Sequence, residues 1–205
     1  MRLGLTGLAR DPSRPSAVTR LRRRLGALTF VPGVEAALAT EVRFALDTLA
    51  LIAAQVRALE AAIRPLADQY RELKALTGAS HVAVAGLVGH AGDLANLRSA
   101  DAFAMRSGTA PVPCSSGRNQ RVRINHRGDR QLNRLLYIIA LVQIRFATHP
   151  GRLYYQRKLQ EGKTPRAALR ALKRRLATVV YYRLVTDTAA LGEPPNPPAA
   201  VLLAA

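Results

Sequence analysis

The stretch VRFALDTLALIAAQVRALEAAI, residues 42–63, decides the fold. Its apolar positions Val42, Ala45, Leu49, Ile52, Val56, Leu59 and Ile63 fall alternately three and four residues apart, and the alternation continues through Leu66, Tyr70 and Leu73. On a helix of 3.6 residues per turn these positions form one stripe, and a stripe this regular over more than four heptads is the seam of a coiled coil. Pro65 lies inside the pattern. A proline removes one helical hydrogen bond and clashes with the preceding turn, which predicts a kink or break near Arg64 and one uninterrupted helix over about 36–64. The seam can close as a packed helical hairpin within one globule, between two chains, or against a segment outside this sequence.

Working outward, residues 1–35 are basic and punctuated by Pro12, Pro15, Pro32 and Gly33, the composition of a flexible leader with at most one short helix. Glycines 78, 86, 89, 92 and 108 cut the segment after the heptads into short helices and tight turns. Pro111 to Gly117 reads as a loop. A helix then opens at about Asp129, with Leu132, Leu135, Leu136, Ile139 and Val142 on one face, and Pro150 with Gly151 ends it. Thr164 followed by Pro165 reads as an N-cap and first helical residue of a last helix. Its buried stripe is Ala168, Leu169, Leu172, Leu176, Val179 and Val180; its other face carries Arg166, Arg170, Lys173, Arg174 and Arg175. The tail from Glu193 has four prolines in six residues. The reading is an all-α chain: a leader over 1–35, a coiled-coil helix region over 36–76, a compact helical domain over 77–186 and a disordered tail over 187–205.

Composition narrows the function. The 205 residues include 49% hydrophobic ones, enough for a core, and 31 Lys and Arg against 13 Asp and Glu, a formal charge of +18. A field of that sign attracts polyanions and disfavours an enzyme of small neutral metabolites. The charge is uneven: residues 1–105 hold 13 bases and 9 acids, whereas residues 106–183 hold 18 bases and 2 acids. The polyanion site therefore belongs to the second half. A single cysteine, Cys114, and four scattered histidines exclude a disulfide scaffold and a zinc fold. No apolar run approaches the roughly 18 to 20 residues of a membrane span, so no membrane partner is expected and the chain reads as cytoplasmic.

Within that half, Arg118, Arg121, Arg123, Arg127, Arg130 and Arg134 fall within 17 residues around the turn Arg127-Gly128-Asp129, offset only by Asp129. Planar guanidinium forks suit phosphate oxygens. Lys163, Lys173, Arg174 and Arg175 extend the candidate nucleic-acid-binding set. Tyr137, Tyr154, Tyr155, Tyr181 and Tyr182 share this half and could stack on bases, although core packing explains them equally well. Just ahead of the arginines, the loop Cys114-Ser115-Ser116-Gly117 places a serine hydroxyl beside fixed positive charge, the parts needed for attack on a phosphodiester. A Ser-Gly pair in a loop is ordinarily a turn.

The order Gly108-Thr-Ala-Pro111, Ser116-Gly117, Ile124-Asn-His-Arg-Gly128-Asp129, Leu132 with Leu135-Leu136-Tyr137, Tyr154-Tyr155-Gln156-Arg157 and Gly162-Lys163 resembles the C-terminal Tnp domain of the insertion sequence one-ten family of transposases, grouped with one-sixteen and nine-oh-two. The resemblance covers about 110 residues. It implies a recombinase that works on DNA with a structured guide RNA, in which the serine of the Ser-Gly pair, here Ser116, links covalently to DNA. Arg127 matches the arginine of the family's basic turn. A long coiled-coil helix ahead of the Tnp domain is typical of the family and helps pair subunits, which implies a homo-oligomer through residues 42–63.

Several positions depart from the family's pattern. Such proteins begin with a RuvC-like domain whose Asp-Glu-Asp-Asp set holds Mg2+, and no such domain precedes the heptads; the expectation is a truncated element. From Arg106 onward the acids are Asp129, Glu161, Asp187 and Glu193, too widely spaced for a two-metal site. No cofactor is expected in this chain, and Mg2+ only with a RuvC-like domain supplied elsewhere. The Pro-Gly-x-Gly turn is replaced by Leu76-Thr77-Gly78-Ala79-Ser80, and the serine and lysine of the basic turn are Asn125 and His126. The first functional reading is the DNA-binding C-terminal part of a serine-dependent, RNA-guided transposase. The alternative is a basic nucleic-acid-binding module without chemistry, and a third, resting on charge alone, is a ribosome-associated or RNA-chaperone protein.

Overall fold

The computed structural model describes residues 15–116, 119–123, 125 and 127–192, with the side chains of residues 15, 16, 95, 113–116 and 119–123 outside the description. The fold is all-α with one small hairpin. Eight α-helices run in order: α1 (Pro15–Gly26), α2 (Val34–Ala67), α3 (Arg71–Lys74), α4 (His81–Ala91), α5 (Ala100–Arg106), α6 (Arg130–Arg145), α7 (Pro150–Gln160) and α8 (Pro165–Ala190). Between α5 and α6 the strands β1 (Val112–Ser116) and β2 (Asn119–Arg123) pair antiparallel. The chain divides into two compact units, Met1–Ala62 and Ile63–Ala205.

In the first unit α1 packs on α2. Val18 and Leu25 meet Ala39 and Leu46, with Leu21, Phe30, Leu49 and Ala50 at the margin. Arg22 pairs with Asp47, and the Arg43 guanidinium lies 6.0 Å from the centre of the Phe30 ring. The leader expected over 1–35 therefore contains an ordered, docked helix. Asp11 to Arg14 and the residues before them lie outside the described set.

Helix α2 is longer than the 36–64 read from the sequence. Pro65 falls in its last turn, where the Asp68 amide still reaches the Arg64 carbonyl at 2.9 Å, so the helix ends only after Ala67. The heptad pattern does not: Tyr70 is the N-cap of α3, and Leu73 is fully buried in the core of the second unit. Helix α1 covers the line through Ala39 and Leu46, leaving Val42, Ile52, Val56, Leu59 and Leu66 on the stripe exposed.

The second unit is a helical bundle closed by α8, which packs against α3, α5, α6 and α7. Leu73, Val84, Leu87, Phe103, Leu132, Leu136, Ile139, Leu172, Val180 and Leu184 make one continuous buried cluster. Polar groups inside it are tied to backbone. The buried Asp187 carboxylate accepts from the amides of Glu72, at 2.9 Å, and Leu73, at 3.0 Å, supplying partners for orphan donors at the start of α3. Tyr181 donates to the Leu97 carbonyl at 2.9 Å, and Gln143 donates to the Thr77 carbonyl at 3.1 Å. Asp187 lies within the span expected to be a disordered tail; α8 continues to Ala190, and the residues from 193 lie outside the described set.

Two further expectations change. The segment read as a loop over 111–117 is strand over Val112–Ser116, because its partner Asn119–Arg123 supplies ladder hydrogen bonds that composition does not reveal. Helix α6 ends at Arg145, ahead of Pro150, and Pro150 begins α7 rather than only ending α6. The His149 ring caps α7, its Nδ1 accepting from the Gly151 amide at 3.0 Å. Among the described residues no helix is long and apolar enough to cross a membrane.

Candidate nucleic-acid interface

The turn before α6 is built from the backbone outward. Asp129 is the N-cap of α6, its Oδ1 accepting from the amides of Gln131, at 2.7 Å, and Leu132, at 3.0 Å. This is the preferred use of an aspartate at a helix start, since it fills donors that no helical carbonyl can reach. His90 Nδ1 stands 3.1 Å from the other carboxylate oxygen. The turn leans on the end of α5: the Asp129 amide donates to the Arg106 carbonyl at 2.6 Å, and the Asn125 side chain donates to the Met105 carbonyl at 2.8 Å. Asn125 Oδ1 accepts in return from the Arg127 amide at 3.0 Å.

Glycine is required where the two turns meet. Gly108 has φ +67°, and a Cβ placed on Gly128 would stand 2.2 Å from the Gly108 nitrogen and 2.4 Å from its Cα. Only hydrogen at Gly128 permits this approach.

Partial burial pushes the Asp129 carboxyl up, but the hydrogen bonds from the Leu132 and Gln131 amides and the His90 contact outweigh it and hold the carboxyl below its ordinary value. A group depressed in the folded state contributes stability above its unfolded pKa of about 3.9, and that contribution is lost as pH falls through the folded value. Urea unfolding of the protein and of Asp129→Asn should therefore differ by a constant amount above about pH 5, and the difference should shrink below about pH 4. A gap that persists undiminished at pH 3 contradicts this assignment.

These turns wall a cleft of 840 Å³ between α6 and α8. From α6 it receives Arg130, Asn133, Arg134 and Tyr137, spaced three and four apart on one face; from α8 it receives Ala167, Arg170, Ala171, Lys173 and Arg174. Lys163 and the turn Gly108 to Pro111 complete it. Among the described residues six cationic side chains line the cleft and no carboxylate does. Arg174 is paired outward with Asp101 and donates to the Thr178 hydroxyl at 3.0 Å. Lys173 is held at the back, its Nζ donating to Asn133 Oδ1 at 2.6 Å and lying 5.9 Å from the centre of the Tyr137 ring. Burial, with the nearby Arg170 charge adding to it, pushes the Lys173 ammonium below the usual lysine value. Asn133 Nδ2 donates to the Ser107 carbonyl at 2.8 Å, so both ends of that amide are engaged.

Of the residues singled out in the sequence, Arg130, Arg134, Lys163, Lys173 and Arg174 converge on this cleft. Arg127 is exposed on the adjoining turn. Arg175 points elsewhere, its guanidinium 5.4 Å from the Tyr154 ring centre, which Arg157 and Lys158 also approach, at 5.1 and 5.4 Å. Arg121 and Arg123 lie on β2, while Arg118 lies outside the described residues. Ser116 is the last residue of β1, paired with Asn119, whereas the cleft takes Pro111 and Asn125 from the other end of the hairpin. Four strand steps separate Ser116 from Val112, about 14 Å of chain. Of the tyrosines, Tyr137 is 41% exposed at the cleft and Tyr181 is buried. Arg170 was not among the selected cations, although its place one turn before Lys173 and Arg174 is the signal that puts it with them.

Comparisons with known proteins agree with this part of the chain. Residues 70–156 match the family model described as Transposase IS116/IS110/IS902 family. Over 179 residues the chain is 34% identical to the insertion element IS900 uncharacterized 42 kDa protein of Mycobacterium paratuberculosis, a match that covers 82% of this chain and 43% of that protein. It is also 33% identical over 119 residues to the insertion element IS116 uncharacterized 44.8 kDa protein of Streptomyces clavuligerus, covering 57% of this chain and 29% of the relative. The chain thus spans less than half the length of either relative.

Proposed function

Because residues 70–156 belong to the transposase IS116/IS110/IS902 family, we propose that this chain is the DNA-binding part of a serine-dependent transposase that also engages a structured guide RNA in the cytoplasm. The observation that carries the binding role is the cleft between α6 and α8, where six cations converge without a lining carboxylate. Arg174 pairs with Asp101, but positive charge otherwise held at a concave surface is unfavourable unless an anion neutralises it, and the phosphate backbone is the polyanion that guanidinium forks fit best.

The proposed chemistry belongs to the hairpin. The Ser116 hydroxyl attacks the phosphorus of a phosphodiester, forming a Ser–O–P bond as one sugar oxygen leaves as an alcohol. Among the described residues no three His, Cys, Asp or Glu side chains are grouped to hold a metal ion. We assign Mg2+ to a RuvC-like domain supplied separately. The chain alone should bind labelled DNA and leave it intact on a denaturing gel. Added to a RuvC-like domain and guide RNA from a relative, it should give a protein–DNA adduct that Ser116→Ala abolishes without weakening binding. An adduct that survives Ser116→Ala overturns the nucleophile, and one formed by the chain alone overturns the division of labour. The separation of about 14 Å between Ser116 and the hairpin base favours the other reading, a binding module without chemistry. Absence of an adduct under every condition supports it.

Self-association is proposed through the uncovered stripe of α2. Leu59 is 63% and Ile52 49% exposed, and a helix that leaves so continuous an apolar line in water gains by pairing it. Leu59→Asp should lower the mass measured by light scattering to that of a monomer. A monomeric mass for the unaltered protein removes the proposal.

A further inference from the structure

The cleft has a second property besides charge. Among the cations its lining is apolar and small: Ala110, Pro111, Ala167, Ala171 and the ring of Tyr137. Ala167 and Ala171 are one turn apart on α8, so the two positions present only methyl groups to the cleft, beside the longer Arg170, Lys173 and Arg174. The polar groups nearest them are already engaged. Asn133 gives its nitrogen to Ser107 and its oxygen to Lys173, and Asn125 gives its nitrogen to Met105 and its oxygen to Arg127. One donor and one acceptor of each amide are thereby used, and both side chains are fixed in place.

A volume of 840 Å³ lies in the range of cavities that enclose one small organic molecule. A duplex, by contrast, spans a broad face of roughly 1,000–2,500 Å² and can rest its phosphates on the cleft's arginines with no base entering. A flat apolar ligand ringed by negative charge is what this combination selects, and a nucleotide outside the base stack has that form. We propose that the cleft between α6 and α8 seats one unstacked nucleotide of a single strand, its base against Tyr137, Ala167 and Ala171 and its flanking phosphates on Arg134 and Arg170. This rests on the nucleic-acid-binding reading and adds to it the strandedness of what is bound. The seat offers a ring and methyl groups for stacking, and such platforms discriminate weakly among bases. DNA and RNA strands present the same face to it.

Filling the seat without changing charge tests the assignment. Fluorescence anisotropy is measured with oligothymidylate and oligouridylate of about twelve nucleotides, within the span a stacking site covers, and with a duplex of the same length. The variants are Ala171→Phe, which occupies the seat, and Tyr137→Ala, which removes its exposed wall and spares the core. Loss of one stacked base weakens binding by roughly 5- to 150-fold. Both variants should lose at least fivefold on one or both single strands, keep duplex affinity within about twofold, and keep the salt slope. A loss on thymidylate alone identifies a DNA strand as the occupant, on uridylate alone an RNA strand, and on both a seat blind to the sugar. Unchanged single-strand binding in Tyr137→Ala overturns the proposal, as does a duplex affinity that falls in parallel with it. If the unaltered protein binds neither strands nor duplex, the nucleic-acid reading itself fails.

Discussion

Replacing Arg130, Arg134 and Arg170 together by glutamine should lower affinity for duplex DNA about 100-fold at 0.15 M salt. The slope of log K against log salt should flatten by nearly three, from roughly −5 to −7 for five to eight neutralised phosphates. Each cation that neutralises a phosphate releases a fraction of a counterion, close to 0.9, which at this ionic strength is worth about a fivefold change in binding constant. All three side chains line one cleft, and Arg130 and Arg134 are exposed on the face of α6 opposite Leu132 and Leu136. The fold should tolerate the change, leaving the thermal midpoint within a few degrees. Filter binding at four salt concentrations decides the matter: parallel lines for the two proteins would show that DNA does not use this cleft.

A second large effect is expected from a single methyl group. In Gly128→Ala the added carbon meets the Gly108 nitrogen at 2.2 Å and the Arg106 carbonyl oxygen at 2.9 Å, all backbone atoms that no rotamer change can move aside. Relief requires the α5–β1 turn and the turn before α6 to part, breaking the bonds from the Asp129 amide to Arg106 and from Asn125 to Met105. Overpacking of this kind costs about 3 kcal/mol. Urea unfolding followed by circular dichroism should show that loss, with DNA binding reduced in proportion to the cleft's distortion. A midpoint unchanged from the parent would mean that the two turns are not in contact.

Much of this was legible in residues 129–185. Asp129 and Thr164-Pro165 announce their helices by chemistry that is local: a side-chain oxygen or a missing amide acts within three residues, and the structure uses both in that way. The stripes Leu132–Leu136–Ile139 and Leu172–Leu176–Val180 carry the period of a buried helix face, and all six side chains are in the core. Basic residues one turn apart on α6 and α8 already pointed to one surface on each helix. Which cations share a cleft could not be read, because that depends on how α6 packs against α8. Hence Arg170 was missed and Arg175, one residue past Arg174, was included although it turns toward Tyr154.

The hairpin escaped for another reason. Cys114 to Ser116 and Asn119 to Arg121 show no apolar alternation, and Pro113 argues against a strand, so only the partner strand reveals the pairing. Helix α7 was hidden because its cap is a histidine, outside the usual Ser, Thr, Asp and Asn set. The heptads, read as one seam to Leu73, hide a change of role at Ala67. Up to Leu66 the stripe is largely exposed, and after it the same spacing happens to place Leu73 in a different core. Periodicity reports an amphipathic face and says nothing about what covers it.

The carboxylate of Asp187 has a consequence for the order in which the protein becomes competent. It completes α3, whose amides at Glu72 and Leu73 it receives from more than a hundred residues away, and it sits near the end of the helix that closes the bundle. A chain emerging from the ribosome can form α4, α5 and α6 from local interactions, but the core around Leu73 and the cationic cleft both wait for α8. Contacts of such sequence separation form late, because a long loop must close before they return any stabilisation. During synthesis the basic segments are thus exposed as separate helices before they are gathered into one surface. The convergence of the six cations waits for the first turns of α8, and the completion of the core around Leu73 for nearly its last.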